Sequence, residues 1–147
     1  MKEMLKKQLI DAFDRDDEMS LMCSVDNLSQ DEWEWKLYPS SWTIKETLYH
    51  IAECKIGYCK SGFNLWKDEL PEFPNSIAAM DALSVTAHKH LLQCLEQCSE
   101  SDLVAPLPIH SHGESAANFF YVMAVHDIWH GSQIQTIRRA FNNKIDS

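Results

Sequence analysis

Two histidines stand four residues apart inside an apolar stretch, in HDIWHGSQIQTIRR (126–139). On a helix, His126 and His130 project from one face. A plot at about 100° per residue puts them on one apolar stripe with Val122 and Gln133 and predicts that this stripe faces the core. A neutral imidazole carries one hydrogen-bond donor and one acceptor, and a small apolar core offers few partners for either. A divalent metal ion would bind the acceptor nitrogen of both rings, so the spacing predicts two metal ligands. The alternative is a pair of core histidines bonded to backbone carbonyls or to Gln133.

A metal held by two histidines of one helix needs at least a third protein ligand, which in a bundle comes from another helix. His50 is the candidate, because it lies on the second predicted helix among small side chains. It falls at the edge of that helix's apolar stripe. Glu46 and Glu53 flank the same edge, either as acceptors for the ring N–H of His50 or as solvated carboxylates.

The other histidines and the cysteines are weaker ligand candidates. His88 and His90 diverge by about 200° on a helix, and His110 and His112 lie in a loop that prolines flank. The five cysteines show no CxxC pattern, so we expect them to be small buried side chains in a reducing compartment. Cys54, one helical turn after the third candidate ligand, is the thiol nearest the predicted site.

Three proline clusters divide the chain into four helical stretches that must position these side chains. The first covers about residues 2–25, with a bend or break at the charged run DRDDE. The second covers about residues 43–66 and begins at Thr43, which can form a capping box with Glu46.

The third and fourth stretches complete the pattern. The third is capped by Asn75 or Ser76 and repeats apolar residues as far as Cys98, and the fourth is capped within residues 111–114 and reaches about Phe141. No segment alternates with period two, so we predict an all-α four-helix bundle. The connector before the second helix, about 17 residues long, can cross an end of the bundle.

Length and charge narrow the functional classes. A chain of 147 residues suits one domain, which we take to span residues 1–147. The net charge of -9 repels phosphate, so we expect neither nucleic-acid binding nor attraction to anionic membranes. The chain has no apolar run of membrane-spanning length, and its first residues are charged, so we expect a cytoplasmic protein.

Two segments read together resemble the DinB superfamily, which includes YfiT-like members and thiol-dependent transferases. These are SSWTIKETLYHIAE (40–53), where a Trp-Thr helix start leads to a histidine, and HDIWHGSQ, where H-x-x-x-H precedes a small residue and Gln. The SESDL turn before the last helix belongs to the same pattern. The resemblance covers most of the chain, through the order and spacing of these segments.

The resemblance implies a four-helix bundle that holds a divalent metal, often zinc or nickel, through three histidines at one end. Carried over by position, these are His50, His126 and His130. It also implies a homodimer, and a low-molecular-weight thiol such as bacillithiol or mycothiol as co-substrate, although many members have no known activity.

Four functions fit these residues. Three neutral histidines leave a metal ion charged and open at one position, where it can activate a thiol for S-transfer or water for hydrolysis. Gln133 could orient a ligand there or pack against a neighbouring helix. HDIWH also resembles the zincin helix H-E-x-x-H, with Asp127 at the place of the catalytic base, which would make the protein a small metal-dependent hydrolase. The fourth is a non-catalytic stress-response module with a structural metal and Cys54 as a further ligand.

Overall fold

The computed structural model describes residues 1–14, 18–63, 65–66, 68–107 and 114–145. In that part of the chain there are helices and one isolated bridge between Pro106 and Ser115, so the all-α prediction is confirmed. The helices are α1 (Lys2–Phe13), α2 (Leu21–Ser24), α3 (Gln30–Glu34), α4 (Ile44–Phe63), α5 (Ile77–Gln97), α6 (Glu100–Val104) and α7 (Ala116–Ile145).

The four long helices pack in a closed ring. α1 packs against α5 and α7, and α4 packs against the same two helices from the opposite corner. The segments that join α1 to α4 and α5 to α7 therefore cross between opposite corners of the ring, as expected for the connector of residues 26–42. This arrangement makes α4 and α7, which carry the three candidate ligands, direct neighbours.

Side-chain caps set where several of the helices begin. Thr43 and Glu46 form the predicted capping box at the start of α4: Thr43 N donates to Glu46 Oε2 at 2.7 Å, and Glu46 N donates to Thr43 Oγ1 at 3.1 Å. Of the two candidates for the cap of α5, the structure selects Ser76, whose hydroxyl accepts from Ala79 N at 3.1 Å. α4 ends at Phe63, three residues before the predicted end.

The last helix begins and ends later than the sequence pattern indicated. Ser115 caps it, because its hydroxyl accepts a hydrogen bond from Asn118 N at 3.2 Å. Of residues 111–114, predicted to cap it, the first three lie outside the described residues, as do His110 and His112. At its other end α7 continues to Ile145, four residues past Phe141.

Two connectors contain short helices that periodicity could not reveal. α1 ends at Phe13, just before the charged run, and the second half of the first predicted helix survives only as α2, capped by Ser20. α3 and α6 each begin with a capping box, formed by Ser29 with Glu32 and by Ser99 with Asp102. Each has five residues, too few to display a helical stripe.

A buried polar layer separates the two larger apolar clusters of the bundle. One cluster includes Leu9, Leu91 and Phe120, and the other includes Leu48 and Ile134. Between them along α4, α5 and α7 lie three buried polar side chains, which are Lys55, His88 and Asp127. Within the described residues, none of the helices has the combination of length and hydrophobicity needed to cross a membrane.

Candidate metal centre

Three imidazole rings from two helices meet at one side of this ring of helices. His126 and His130, four residues apart on α7, have their Nε2 atoms 3.1 Å apart and their ring centroids 4.4 Å apart. The ring of His50, from α4, lies 5.5 Å from that of His126 and 5.3 Å from that of His130, centroid to centroid. His50 lies at the edge of the apolar stripe of α4, and its ring faces the two histidines of α7.

Burial keeps the two rings of α7 neutral. His130 is buried and His126 half-buried, and burial is the main reason that the pKa of each falls, to about 4 for His126. The neighbouring His50 lowers both pKa values further, whereas Gln133 opposes the shift at His130. Neutral imidazoles can bind a metal ion without first losing a proton.

Gln133 fixes the tautomer of His130. Its Oε1 lies 2.7 Å from His130 Nδ1 and accepts a hydrogen bond, which places the ring proton on Nδ1 and leaves the lone pair of Nε2 facing His126. The sequence plot put Gln133 in the core stripe together with Val122, but both side chains are exposed. Gln133 therefore contacts the candidate ligand from the solvent side.

The donor set fits a divalent ion. Two nitrogens bound at about 2.0–2.1 Å to a tetrahedral zinc ion lie about 3.3 Å apart, close to the 3.1 Å between the two Nε2 atoms. Nδ1 of His126 is buried and has no hydrogen-bond partner among the described residues. Without an ion, the Nε2–H of His126 donates a hydrogen bond to the Nε2 lone pair of His130, and a bound ion would replace that contact.

Cys54 adds a sulfur to the same place. The Sγ atom lies 3.7 Å from His50 Nε2, and potential donor atoms of His50, Cys54 and His126 all lie within 4.8 Å of one another. Burial, and secondarily the charge of Glu53, raise the pKa of the Cys54 thiol, so it is protonated at neutral pH. The structure thus contains a possible metal site formed by His50, Cys54 and His126; His130 is not in this group, although its Nε2 atom lies 3.1 Å from that of His126.

The three rings form one wall of a cavity of about 580 Å³. The connector before α4 supplies Tyr38 and Trp42, and α7 supplies Trp129 and Ser132. This volume is in the range of small-molecule sites, about 300–1,000 Å³. The candidate ligands are therefore accessible to a small ligand.

Comparison with protein families gives the same family as the resemblance seen in the sequence. A family model described as the DinB superfamily matches residues 12–134. The chain belongs to the DinB superfamily. No curated protein and no solved structure gave a significant match. The DinB match covers α4 and most of α7, and so all three candidate histidines.

Asp127 does not occupy the position that a zincin base needs. Its side chain is completely buried on another face of α7, where Oδ2 accepts a hydrogen bond from Lys55 Nζ at 2.7 Å. Burial raises the pKa of Asp127 and lowers that of Lys55, and the opposite charge of each partner counters the shift. Asp127 does not line the cavity, so this DinB chain lacks the geometry of the zincin-like alternative.

Lys55 and His88 form a buried polar contact that the sequence did not predict, although His88 was considered there as a metal ligand. Lys55 Nζ also donates to His88 Nδ1 at 3.3 Å and lies 4.6 Å from the centre of the Phe13 ring. Burial first, and the charge of Lys55 second, lower the pKa of His88 to about 2, so His88 is neutral. An isolated lysine at a helix position offers no signal of burial, since its partner is 72 residues away.

Glu46, considered as a support for His50, has a different role. Its carboxylate accepts hydrogen bonds from the backbone N–H and the hydroxyl of Thr43, and both bonds belong to the start of α4. These bonds lower the pKa of Glu46. Glu46 therefore fixes the start of α4, one turn before His50, without contacting the ring in the described structure.

Proposed function

We propose that the protein binds one divalent metal ion, zinc or nickel, through His50, His126 and His130, and uses it to activate a low-molecular-weight thiol for transfer to an electrophile. The observation that carries the proposal is the convergence of three rings at a cavity, with two Nε2 atoms 3.1 Å apart. A metal ion held by three neutral imidazoles supplies a Lewis acid that lowers the pKa of a bound thiol.

The chain's own residues support this reaction in three ways. Gln133 holds the Nε2 lone pair of His130 toward the site, and the capping box of α4 holds the helix that presents His50. The cavity leaves room for thiol and electrophile together. In the transfer to a haloaromatic compound, a sulfur–carbon bond forms, the carbon–halogen bond breaks, halide leaves, and the thiol proton passes to solvent.

Thiol transfer fits the cavity better than hydrolysis does. Hydrolysis benefits from a carboxylate that takes a proton from water, and no Asp or Glu is among the described residues that line the cavity. A thiol needs no such base, because its pKa is far lower than that of water. A non-catalytic module with a structural metal is the second candidate, and the proximity of Cys54 Sγ favours it.

Metal content tests the site directly. We expect about one divalent ion per chain in purified protein and loss of the ion in His126→Ala. His90→Ala is the matched control, because His90 lies on α5 and its Nδ1 is 2.9 Å from the carbonyl oxygen of Thr86. Full metal content in His126→Ala would reject the site. Thiol consumption with a haloaromatic or an epoxide then tests the activity, and metal-replete protein that consumes none of several cellular thiols would favour the binding module.

We also propose that the protein is a homodimer, as the resemblance implies. Tyr121, Val125 and Ile128 form an exposed apolar row on α7, at 51%, 44% and 40% exposure. Together with Met19 they line a shallow groove that a second copy could cover. Sedimentation should give a dimer for the native chain and a monomer for Ile128→Glu, and a monomeric native chain would reject the proposal.

A further inference from the structure

Two exposed indoles stand beside the three rings. Trp42, in the connector before α4, has its ring centroid 5.0 Å from that of His50, and Trp129, on α7, lies 5.0 Å from His130. They are 51% and 59% exposed, although tryptophan is the largest side chain that folding can bury. Both line the cavity and come from different elements. A large aromatic surface left open at a cavity is typical of a ligand contact.

The cavity has no formal charge in its described lining. Asp, Glu, Lys and Arg make up 24% of the chain, yet none is among the 14 described residues that line the cavity. At the chain average, about three of these residues would be charged. Apart from the three rings and the amide of Gln133, the polar side chains are hydroxyls, such as those of Tyr38, Ser40 and Ser132, and they suit a neutral hydrogen-bonding ligand.

Away from the ion that the three histidines would hold, this lining disfavours a charged substituent. A carboxylate in that part of the cavity would lose hydration and find no Lys or Arg to replace it. The net charge of -9 would also slow the approach of an anion. An uncharged aromatic ring, in contrast, loses little on leaving water and gains contact with two indole faces.

We propose that the substrate bound next to the three histidines is an uncharged aromatic compound, held between Trp42 and Trp129 with its reacting atom toward the rings. The inference rests on the proposed metal-thiol function and specifies the substrate class of that site. The hydroxyl groups of the lining then bind neutral polar substituents of the ring.

A pair of aryl thiols of nearly equal size, one neutral and one anionic at the group remote from sulfur, tests the proposal on metal-loaded protein. The probes are 4-mercaptobenzamide and 4-mercaptobenzoate, which stand in for the aromatic substrate: their sulfur binds the metal and so reports binding, while the remote group is neutral or anionic. The protein is loaded with Co(II), and thiolate-to-metal charge-transfer absorption reports binding. We expect the amide to bind at least about tenfold more tightly than the carboxylate.

Substitutions of the two tryptophans test whether their indoles bind the aromatic ring of the probe. Trp42→Ala and Trp129→Ala should each weaken amide binding about two- to tenfold, and Phe at either position should restore part of the loss. Phe73→Ala is the matched control, because Phe73 is exposed but packs against Tyr49, away from the cavity lining. Circular dichroism checks that each variant keeps its helices.

The outcomes separate this inference from the function on which it rests. Equal binding of both thiols, or tighter binding of the carboxylate, would overturn the inference and leave the metal-thiol site intact. Unchanged affinity in both alanine variants would overturn the role of the indoles. Absence of any thiol signal in protein that carries Co(II) would reject the proposed function, and this inference with it.

Discussion

The hydrogen bond from His130 to Gln133 decides which nitrogen of His130 is available. The amide oxygen accepts at 2.7 Å from Nδ1, so the proton stays on that atom and Nε2 keeps its lone pair. The partner of a metal-bound histidine orients the ring and raises its basicity, and removing such a partner costs about 10- to 100-fold in metal affinity. Gln133 has this relation to His130 although its side chain is exposed.

We predict that Gln133→Leu weakens metal binding by about tenfold, the low end of that range, because solvent can replace part of the lost hydrogen bond. Competition with a chelator of known affinity measures the change. Gln135→Leu is the control, since Gln135 lies on the same helix but does not line the cavity. Equal affinities for the two variants would show that Gln133 does not orient His130.

We predict that Cys54→Ser keeps the metal, because an open coordination position needs the three histidines and not the thiol. Co(II)-loaded native protein without added thiol should then show no thiolate charge-transfer absorption. Cys23→Ser, which changes another half-buried cysteine, controls for loss of a thiol in general. A charge-transfer band that disappears together with the metal in Cys54→Ser would instead establish a closed, structural site.

At the scale of helices, the buried Lys55–Asp127 pair fixes how α4 lies against α7. Lys55 follows His50 by five residues on α4, and Asp127 is next to His126 on α7. Both side chains are almost completely buried between the two apolar clusters. Sliding one helix along the other would break the pair in a region that water cannot reach, so the same contact sets the register of the candidate ligands.

We predict that Lys55→Met destabilises the fold by about 3–5 kcal/mol, because it leaves the Asp127 carboxylate buried without a partner. The double variant Lys55→Met/Asp127→Leu should recover much of the loss, but not all, since His88 also loses its donor. Urea unfolding measures the free energy, and Lys60→Met is the exposed control on α4. A double variant no more stable than Lys55→Met would contradict the pairing argument.

The molecule as a whole is tied together by a second ion pair that links distant parts of the chain. Arg138 Nε on α7 donates to Glu32 Oε1 on α3 at 2.9 Å, and the same guanidinium donates to the backbone oxygens of Ser24 and Asp26. Burial raises the pKa of Glu32, but hydrogen bonds from Ser29 and Arg138 outweigh it and hold that pKa below its ordinary value.

The lowered pKa of Glu32 predicts how the free energy of unfolding depends on pH. A carboxyl group whose pKa is lower in the folded state stabilises the fold fully above its unfolded pKa, about 4.3, and loses that contribution as pH falls through the folded pKa. Glu32→Gln should therefore cost about 1–3 kcal/mol at neutral pH, and the difference from the native chain should shrink below about pH 4. Urea unfolding at several pH values measures both.

Glu34→Gln is the control for that experiment, because Glu34 forms a more exposed pair with Lys45 that should contribute about 0–1 kcal/mol. A difference between the native chain and Glu32→Gln that stays constant down to about pH 3 would show that ionisation of Glu32 does not stabilise the fold.

The sequence by itself determined the features that depend on residues close together in the chain. Helical periodicity predicted the four long helices, the Thr43–Glu46 capping box located the start of α4, and the spacing of His126 and His130 put both rings on one face. The small side chains around it on the second predicted helix made His50 the third candidate, and the resemblance to the DinB superfamily, confirmed by the family match, gave the same residue by position. Each of these signals lies within a single segment of the sequence or in the order of two segments along the chain.

Tertiary structure decided the features that depend on a partner far away in sequence. A lysine on a helix predicts a solvated side chain, yet Lys55 is buried because Asp127, 72 residues later, compensates its charge. Periodicity likewise placed Gln133 in the core and left His50 at an edge, since a helical plot gives relative angles but not the neighbouring helix. That Trp42 reaches the cavity beside Trp129 depended on the fold of the connector before α4. Burial and contact of this kind arise only when the helices pack.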